Sequence, residues 1–204
     1  GLHRGVHEGV LGRKVAAQMG RKYQDVRLIV VHLGTGISLS AQCGGRMIDI
    51  CDGKDEGGFA PDRCGALPTT QLVKLCYSGK YTYDELRKKM FGAGGLEAYL
   101  GTKDLREVEA RMAAGDEQAE LVFQAMAYQV AKEIGALATV MFGRVDKIVL
   151  TGGMAHSQKL TEIISERVSF IAPIVLVPGE EELESLAAGA LRVLSGEEAA
   201  QEYS

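Results

Sequence analysis

The sequence predicts an α/β domain built on a mixed five-stranded sheet covered by helices. Between about residues 26 and 51, three strand-like runs follow one another with only Gly34-Thr35 and Gly44-Gly45 between them. That is the pattern of an antiparallel meander with tight hairpins. Two later apolar runs, one from Lys147 into Gly152-Gly153 and one at about 173–177, flank a helical pattern at about 158–167, as parallel strands joined by a crossover require. Between the two groups lies the longest periodic segment, 116–142, the signature of a buried helix of about seven turns. The order is βββ, a helical insertion, a long helix, then βαβα.

Composition bounds the function. The chain has 204 residues, 46% hydrophobic and 25% charged, enough for one or two compact domains with a core. A formal net charge of −4 gives no basic nucleic-acid face and no polybasic membrane patch. No apolar run approaches the roughly 18 residues of a membrane helix, and no signal-peptide pattern is present, so the expected compartment is the cytoplasm. Cys43, Cys51, Cys64 and Cys76 lack C-x-x-C spacing and read as reduced thiols. A first residue Gly1, with no Met, fits a fragment or a processed chain.

Each element has its own signal. Val10, Leu11, Val15, Ala16 and Met19 predict a helix over about 8–22, within an N-terminal helical segment 1–25. The strands follow at about 26–33, 36–42 and 45–51; the third alternates polar and apolar residues, as a half-buried strand should. Residues 52–68 break the pattern as a long loop, the kind that often carries function. Helices are expected at 68–78 and 82–91, the second with Thr82 and Glu85 spaced as a capping box, and at 104–114 behind Asp104. The insertion therefore covers 52–115. In 116–142, Ala119, Val122, Phe123, Met126, Val130, Ile134, Leu137, Ala138 and Met141 make the core stripe. A last helix is expected at 181–194, followed by a frayed polar tail after Gly196.

Candidate functional residues cluster at strand tips and in the loop. In His32-Leu33-Gly34-Thr35-Gly36, small residues let backbone N–H groups approach an anion, and the Thr35 and Ser38 hydroxyls add donors; an ordinary hairpin turn needs the same glycines. Arg63 sits beside small residues, where its guanidinium can face a phosphate bidentately or pair with Asp62 or Asp55. Gly152-Gly153 follows a strand, the place where open α/β sheets bind ligands, although close packing also requires glycine there. Glu180, Glu181 and Glu182 suit a helix N-terminus and can also serve Mg²⁺. His3 and His7 have metal-capable i, i+4 spacing but no third ligand nearby, and read as surface histidines.

The element order matches one half of the actin-like ATPase fold, a ribonuclease-H-like unit. Several segments carry a narrower resemblance: His32 to Ser38, Phe59 to Pro68, Gln71 to Cys76, Gly95 to Thr102, Met126 to Lys132, Leu150 to His156 and Arg167 to Pro173. In these the chain, from about Tyr23 onward, resembles the C-terminal half of the acetate and butyrate kinases, most closely on the butyrate side. The resemblance implies that residues 1–204 form the C-terminal nucleotide-binding domain of a two-domain kinase. Such a kinase converts butanoate and ATP to butanoyl phosphate and ADP, with Mg²⁺. The other readings are a kinase for acetate, propionate or branched short-chain acids, and a non-catalytic ATP-binding or oligomerisation module.

Residue roles follow from the same resemblance. His32, Gly34, Thr35 and Gly36 correspond to the second phosphate loop, Asp104, Leu105 and Arg106 to a nucleotide-contacting segment, and Gly152, Gly153, Met154, Ala155, His156 and Ser157 to the adenosine motif. Arg63 corresponds to the arginine that steadies the transferring phosphoryl group, where transition-state charge on the equatorial oxygens calls for a fixed cation. His3 resembles the first histidine of an H-x-x-x-H element of acetate kinases, a catalytic residue facing the transferred phosphoryl group, and Glu181 the acidic residue linked to Mg²⁺. Thr35 and Cys64 depart from the usual glycine and serine. The resemblance also implies a missing N-terminal domain, a homodimer through this half with 116–142 as candidate surface, a short-chain carboxylate and an acyl phosphate as ligands, and little activity for this chain alone.

Overall fold

The computed structural model describes residues 2–53 and 56–179, with backbone alone for residues 2–8. Helix α1 (Leu2–Gln18) leads into strands β1 (Arg27–Leu33), β2 (Ile37–Cys43) and β3 (Arg46–Cys51). Four short helices follow: α2 (Thr69–Cys76), α3 (Tyr83–Met90), α4 (Gly95–Leu100) and α5 (Leu105–Ala113). The long helix α6 (Glu117–Val140), strand β4 (Lys147–Gly152), helix α7 (Gln158–Val168) and strand β5 (Ile174–Pro178) complete the described order. The helix expected at 181–194 lies outside the described residues.

The five strands form one mixed sheet in the order β3-β2-β1-β4-β5. β1 pairs antiparallel with β2 and parallel with β4, while β4 pairs parallel with β5. A register shift at Ala41/Gln42 bends β2 against β3. Strand alternation splits the apolar residues between two faces. Ile29, Val31 and Leu33 of β1 meet Phe123, Met126, Val130 and Ile134 of α6 and Leu160 and Ile164 of α7 in the larger core. Leu28 and Val30 point the other way, onto Leu11, Val15 and Ala16 of α1. β1 is thus covered on both sides, which is why it reads as a nearly continuous apolar run.

β2 carries Ser38, Ser40 and Gln42 into the buried side facing α1. The Tyr23 hydroxyl donates to Gln42 Oε1 at 2.9 Å, and Gln42 Nε2 donates to Ser40 Oγ at 3.1 Å, so the buried amide is satisfied.

Two elements differ from expectation. α1 begins at Leu2 rather than near residue 8, because Gly5 and Gly9 interrupt the apolar periodicity without stopping the helix. α4 occupies Gly95–Leu100, between the helices expected at 82–91 and 104–114, where none was expected. Leu96 is fully buried and Leu100 nearly so, so packing outweighs low propensity. The capping box on α3 is formed: Glu85 N–H donates to Thr82 Oγ1 at 3.3 Å, and Thr82 N–H donates to Glu85 Oε2 at 2.7 Å.

Candidate nucleotide site

Parallel pairing brings the carboxyl ends of β1 and β4 to one edge of the sheet, with His32 level with Thr151. There the β1–β2 bend runs through Gly34, Thr35 and Gly36. Gly34 and Gly36 are buried, while Thr35 is exposed. The His32 ring packs on Gly34, where an added Cβ would lie 2.7 Å from Nε2. At the end of β4, Gly152 has φ +92°, and a Cβ there would meet Leu33 O at 2.5 Å and Leu33 N at 2.9 Å. Only glycine allows this crossing. The chain then turns through Gly153–His156, and Ser157 caps α7 by accepting from Leu160 N–H at 3.0 Å.

Arg63 is placed by a loop folded against the glycine run before α4. Ala60 N–H donates to the Arg63 carbonyl at 3.0 Å, and Cys64 N–H donates to Met90 O at 3.1 Å. The Asp62 carbonyl accepts from Gly92 N–H at 2.7 Å and Gly94 N–H at 3.2 Å. Phe59 N–H donates to Gln129 Oε1 at 2.9 Å, tying the loop to α6. The Arg63 side chain is 22% exposed, with Nε 3.8 Å from Asp62 Oδ1. Its guanidinium lies over Gly36: a Cβ on that glycine would sit 2.6 Å from Nη1 and 2.8 Å from Nη2.

A cleft of about 530 Å³ opens beside the bend. Its walls come from Gly34, Thr35 and Pro61, from Lys103 to Arg106 with Glu109, and from Gly153, Met154, His156 and Ser157. Asp104 caps α5 by accepting from Arg106 N–H at 2.9 Å and pairs with the Arg106 guanidinium at 2.7 Å. That guanidinium, with the Arg106 N–H behind it, holds the Asp104 carboxyl below its ordinary value, and Asp104 in turn raises Arg106. Ser157 Oγ donates to Glu109 Oε1 at 2.6 Å, joining α5 to the start of α7 across the floor of the cleft.

The structure therefore brings Gly34, Thr35, Asp104, Leu105, Arg106, Gly153, Met154, His156 and Ser157 together, although the sequence separates them into three segments. His32, Gly36, Gly152 and the buried Ala155 stand behind this lining as its support. Arg63 sits on the far side of Gly36 and does not line the cleft. The side chain of His3 and all of Glu181 lie outside the described residues. Sequence reasoning missed Pro61, Lys103 and Glu109. Glu109 follows Leu105 by one helical turn on α5, and that i, i+4 spacing was the available signal.

Among the described residues no helix is long and apolar enough to cross a membrane, and no three His, Cys, Asp or Glu side chains gather as a metal group.

The acetokinase family profile matches residues 1–185. The chain is 52% identical over 190 residues to a protein named probable butyrate kinase 2 from Caldanaerobacter subterraneus subsp. tengcongensis, covering 93% of this chain and 54% of that relative. Its fold is similar to that of Porphyromonas gingivalis acetate kinase, with a TM-score of 0.84 at 23% identity over 93% of this chain and 54% of that one. A propionate kinase from Francisella tularensis gives a TM-score of 0.79 at 22% identity, over 89% and 53%. The chain thus has the actin-like ATPase fold of these kinases and spans about half the length of the relatives it matches.

Proposed function

The chain belongs to the acetokinase family, and from that premise we propose that it is the nucleotide-binding, C-terminal half of a short-chain carboxylate kinase. The observation that carries this reading is the single cleft formed by the bend at Gly34–Thr35, the Asp104–Arg106 segment and the Gly153–Ser157 turn. A nucleotide needs an apolar slot for its base, donors for its phosphates and an open glycine edge. Gly153 supplies that edge, since a Cβ built there meets nothing within 4 Å. The bend supplies the phosphate end, and the Arg63 guanidinium stands next to it, on the far side of Gly36.

In the reaction proposed, a carboxylate oxygen of the acid bonds to the γ-phosphorus as the bond to the β,γ-bridging oxygen breaks. ADP leaves with the electron pair, and the acyl phosphate keeps the phosphoryl group. Backbone N–H groups of Gly34 to Gly36 hold the nucleotide phosphates, and Arg63 neutralises charge on the equatorial oxygens. Mg²⁺ would neutralise further phosphate charge; its assigned residue, Glu181, lies outside the described residues, so no step is assigned to it. Butanoate is the favoured acid because the 52% identical relative is named for it.

The test is acyl phosphate formation from ATP with acetate, propionate, butanoate and branched acids. It is measured on this chain alone and on the chain joined to the N-terminal half of that relative. The joined protein should turn over butanoate best and lose about 100-fold or more with Arg63→Ala. Kinase-level rates from this chain alone would contradict the half-protein reading. A joined protein that binds ATP and phosphorylates no acid would leave only a nucleotide-binding module.

A further inference from the structure

Glu109 has no place in the reading above, yet it is a carboxylate in the wall of the cleft. It lies on α5 one turn after Leu105, and both face the cavity. Its Oε1 is held by the Ser157 hydroxyl at 2.6 Å. That hydroxyl also accepts from Leu160 N–H, so its proton and the oxygen facing α7 are both committed, and it cannot donate to a ligand. The second oxygen, Oε2, takes no hydrogen bond among the described residues. A half-buried carboxylate fixed through one oxygen presents the other as a preorganised acceptor. It repels phosphate, so the part of a nucleotide it can meet must carry an N–H or O–H donor.

We propose that Glu109, fixed by Ser157, is a specificity-determining residue that accepts a hydrogen bond from the nucleoside, either from a ribose hydroxyl or from the exocyclic amine of adenine. This inference rests on the nucleotide-binding reading of the cleft. It assigns the opposite ends of the site by charge: Arg63 and the glycine bend for the phosphates, Glu109 for the uncharged nucleoside.

Calorimetric titration of the chain with ATP, 2′-deoxyATP, 3′-deoxyATP and inosine triphosphate tests it, with wild type, Glu109→Ala and Glu109→Gln. Wild type should bind at least one analogue about tenfold or more weakly than ATP, the size expected for a hydrogen bond to a charged group. The analogue affected identifies the donor as a hydroxyl or as the amine. Glu109→Ala should bring ATP down to the affinity of that analogue and leave the analogue unchanged. Glu109→Gln keeps an acceptor for Ser157 and preserves the fold, and should show an intermediate loss. Equal weakening of all four ligands by Glu109→Ala would mean that the side chain only braces α5 against α7, and would overturn the proposal. So would wild-type ATP affinity in Glu109→Ala. Binding of none of the four by wild type would overturn the nucleotide reading itself.

Discussion

The guanidinium of Arg63 occupies the space that a side chain on Gly36 would fill, with Nη1 2.6 Å and Nη2 2.8 Å from the Cβ position. A loop residue is thereby laid across the tip of the β1–β2 hairpin, 27 positions earlier in the chain. The contact joins two features suited to a phosphoryl charge: the backbone of the bend and a fixed cation.

Gly36→Ala should therefore mimic loss of Arg63. The new methyl meets the end of a flexible side chain, which can swing away, so stability should fall by no more than about 1 kcal/mol. ATP affinity should fall as far as in Arg63→Ala, and the double variant should be no worse than either single one. Urea unfolding and ATP titration of the three variants check this; additive losses would show that the two residues act separately.

Gly152→Ala should behave in the opposite way. Its φ of +92° and the Leu33 backbone 2.5 Å away leave the methyl nothing flexible to displace. A loss of about 3 kcal/mol or more is expected, read from the urea midpoint.

The contrast between these two glycines marks how much the sequence could say. β-branched runs that stop at glycine made both strand tips legible, and the capping pair Thr82 and Glu85 and the cap Asp104 were readable from residue type alone. What β4's glycine packs against was not readable, because Leu33 is distant in sequence and the contact is made by backbone. The same holds for Gly95, whose Cβ would collide with the Ala60 carbonyl. That close approach builds α4 and fixes the Arg63 loop, and no periodicity announces it. Glu109 was missed for a related reason: on a charged helix it looks like any solvated residue until Ser157 is brought beside it.

Cys51 should set an alkaline limit to stability. Burial, reinforced by the charges of Glu133 and Glu56, pushes its thiol from an ordinary value near 9 up to about 12. The unfolded chain thus loses this proton first as pH rises. Stability linked to Cys51 is complete below about pH 9 and declines between there and about 12. Urea midpoints measured from pH 8 to 10.5 should fall in wild type and fall less steeply in Cys51→Ala. Thiol labelling of the folded chain should spare Cys51 while the exposed Cys76 reacts.

Asp146 sets the corresponding acid limit. Burial opposes its charge, but hydrogen bonds from Arg27 N–H at 2.7 Å and Arg21 Nη1 at 2.9 Å outweigh this and hold its carboxyl below the ordinary value. Its contribution is present above the ordinary carboxylate value and is lost as pH falls through the lowered one. Asp146→Asn should cost about 1 kcal/mol at neutral pH and flatten the decline in urea midpoint below about pH 4.

The most direct test of the account is titration of the chain with Mg-ATP beside Gly153→Phe. The backbone at Gly153 is unstrained and a Cβ there has open space, so the variant should fold with an unchanged urea midpoint while its ring enters the cleft. Saturable binding by wild type and none by Gly153→Phe is the predicted result. Equal affinity in the two proteins would place the nucleotide elsewhere and contradict the account.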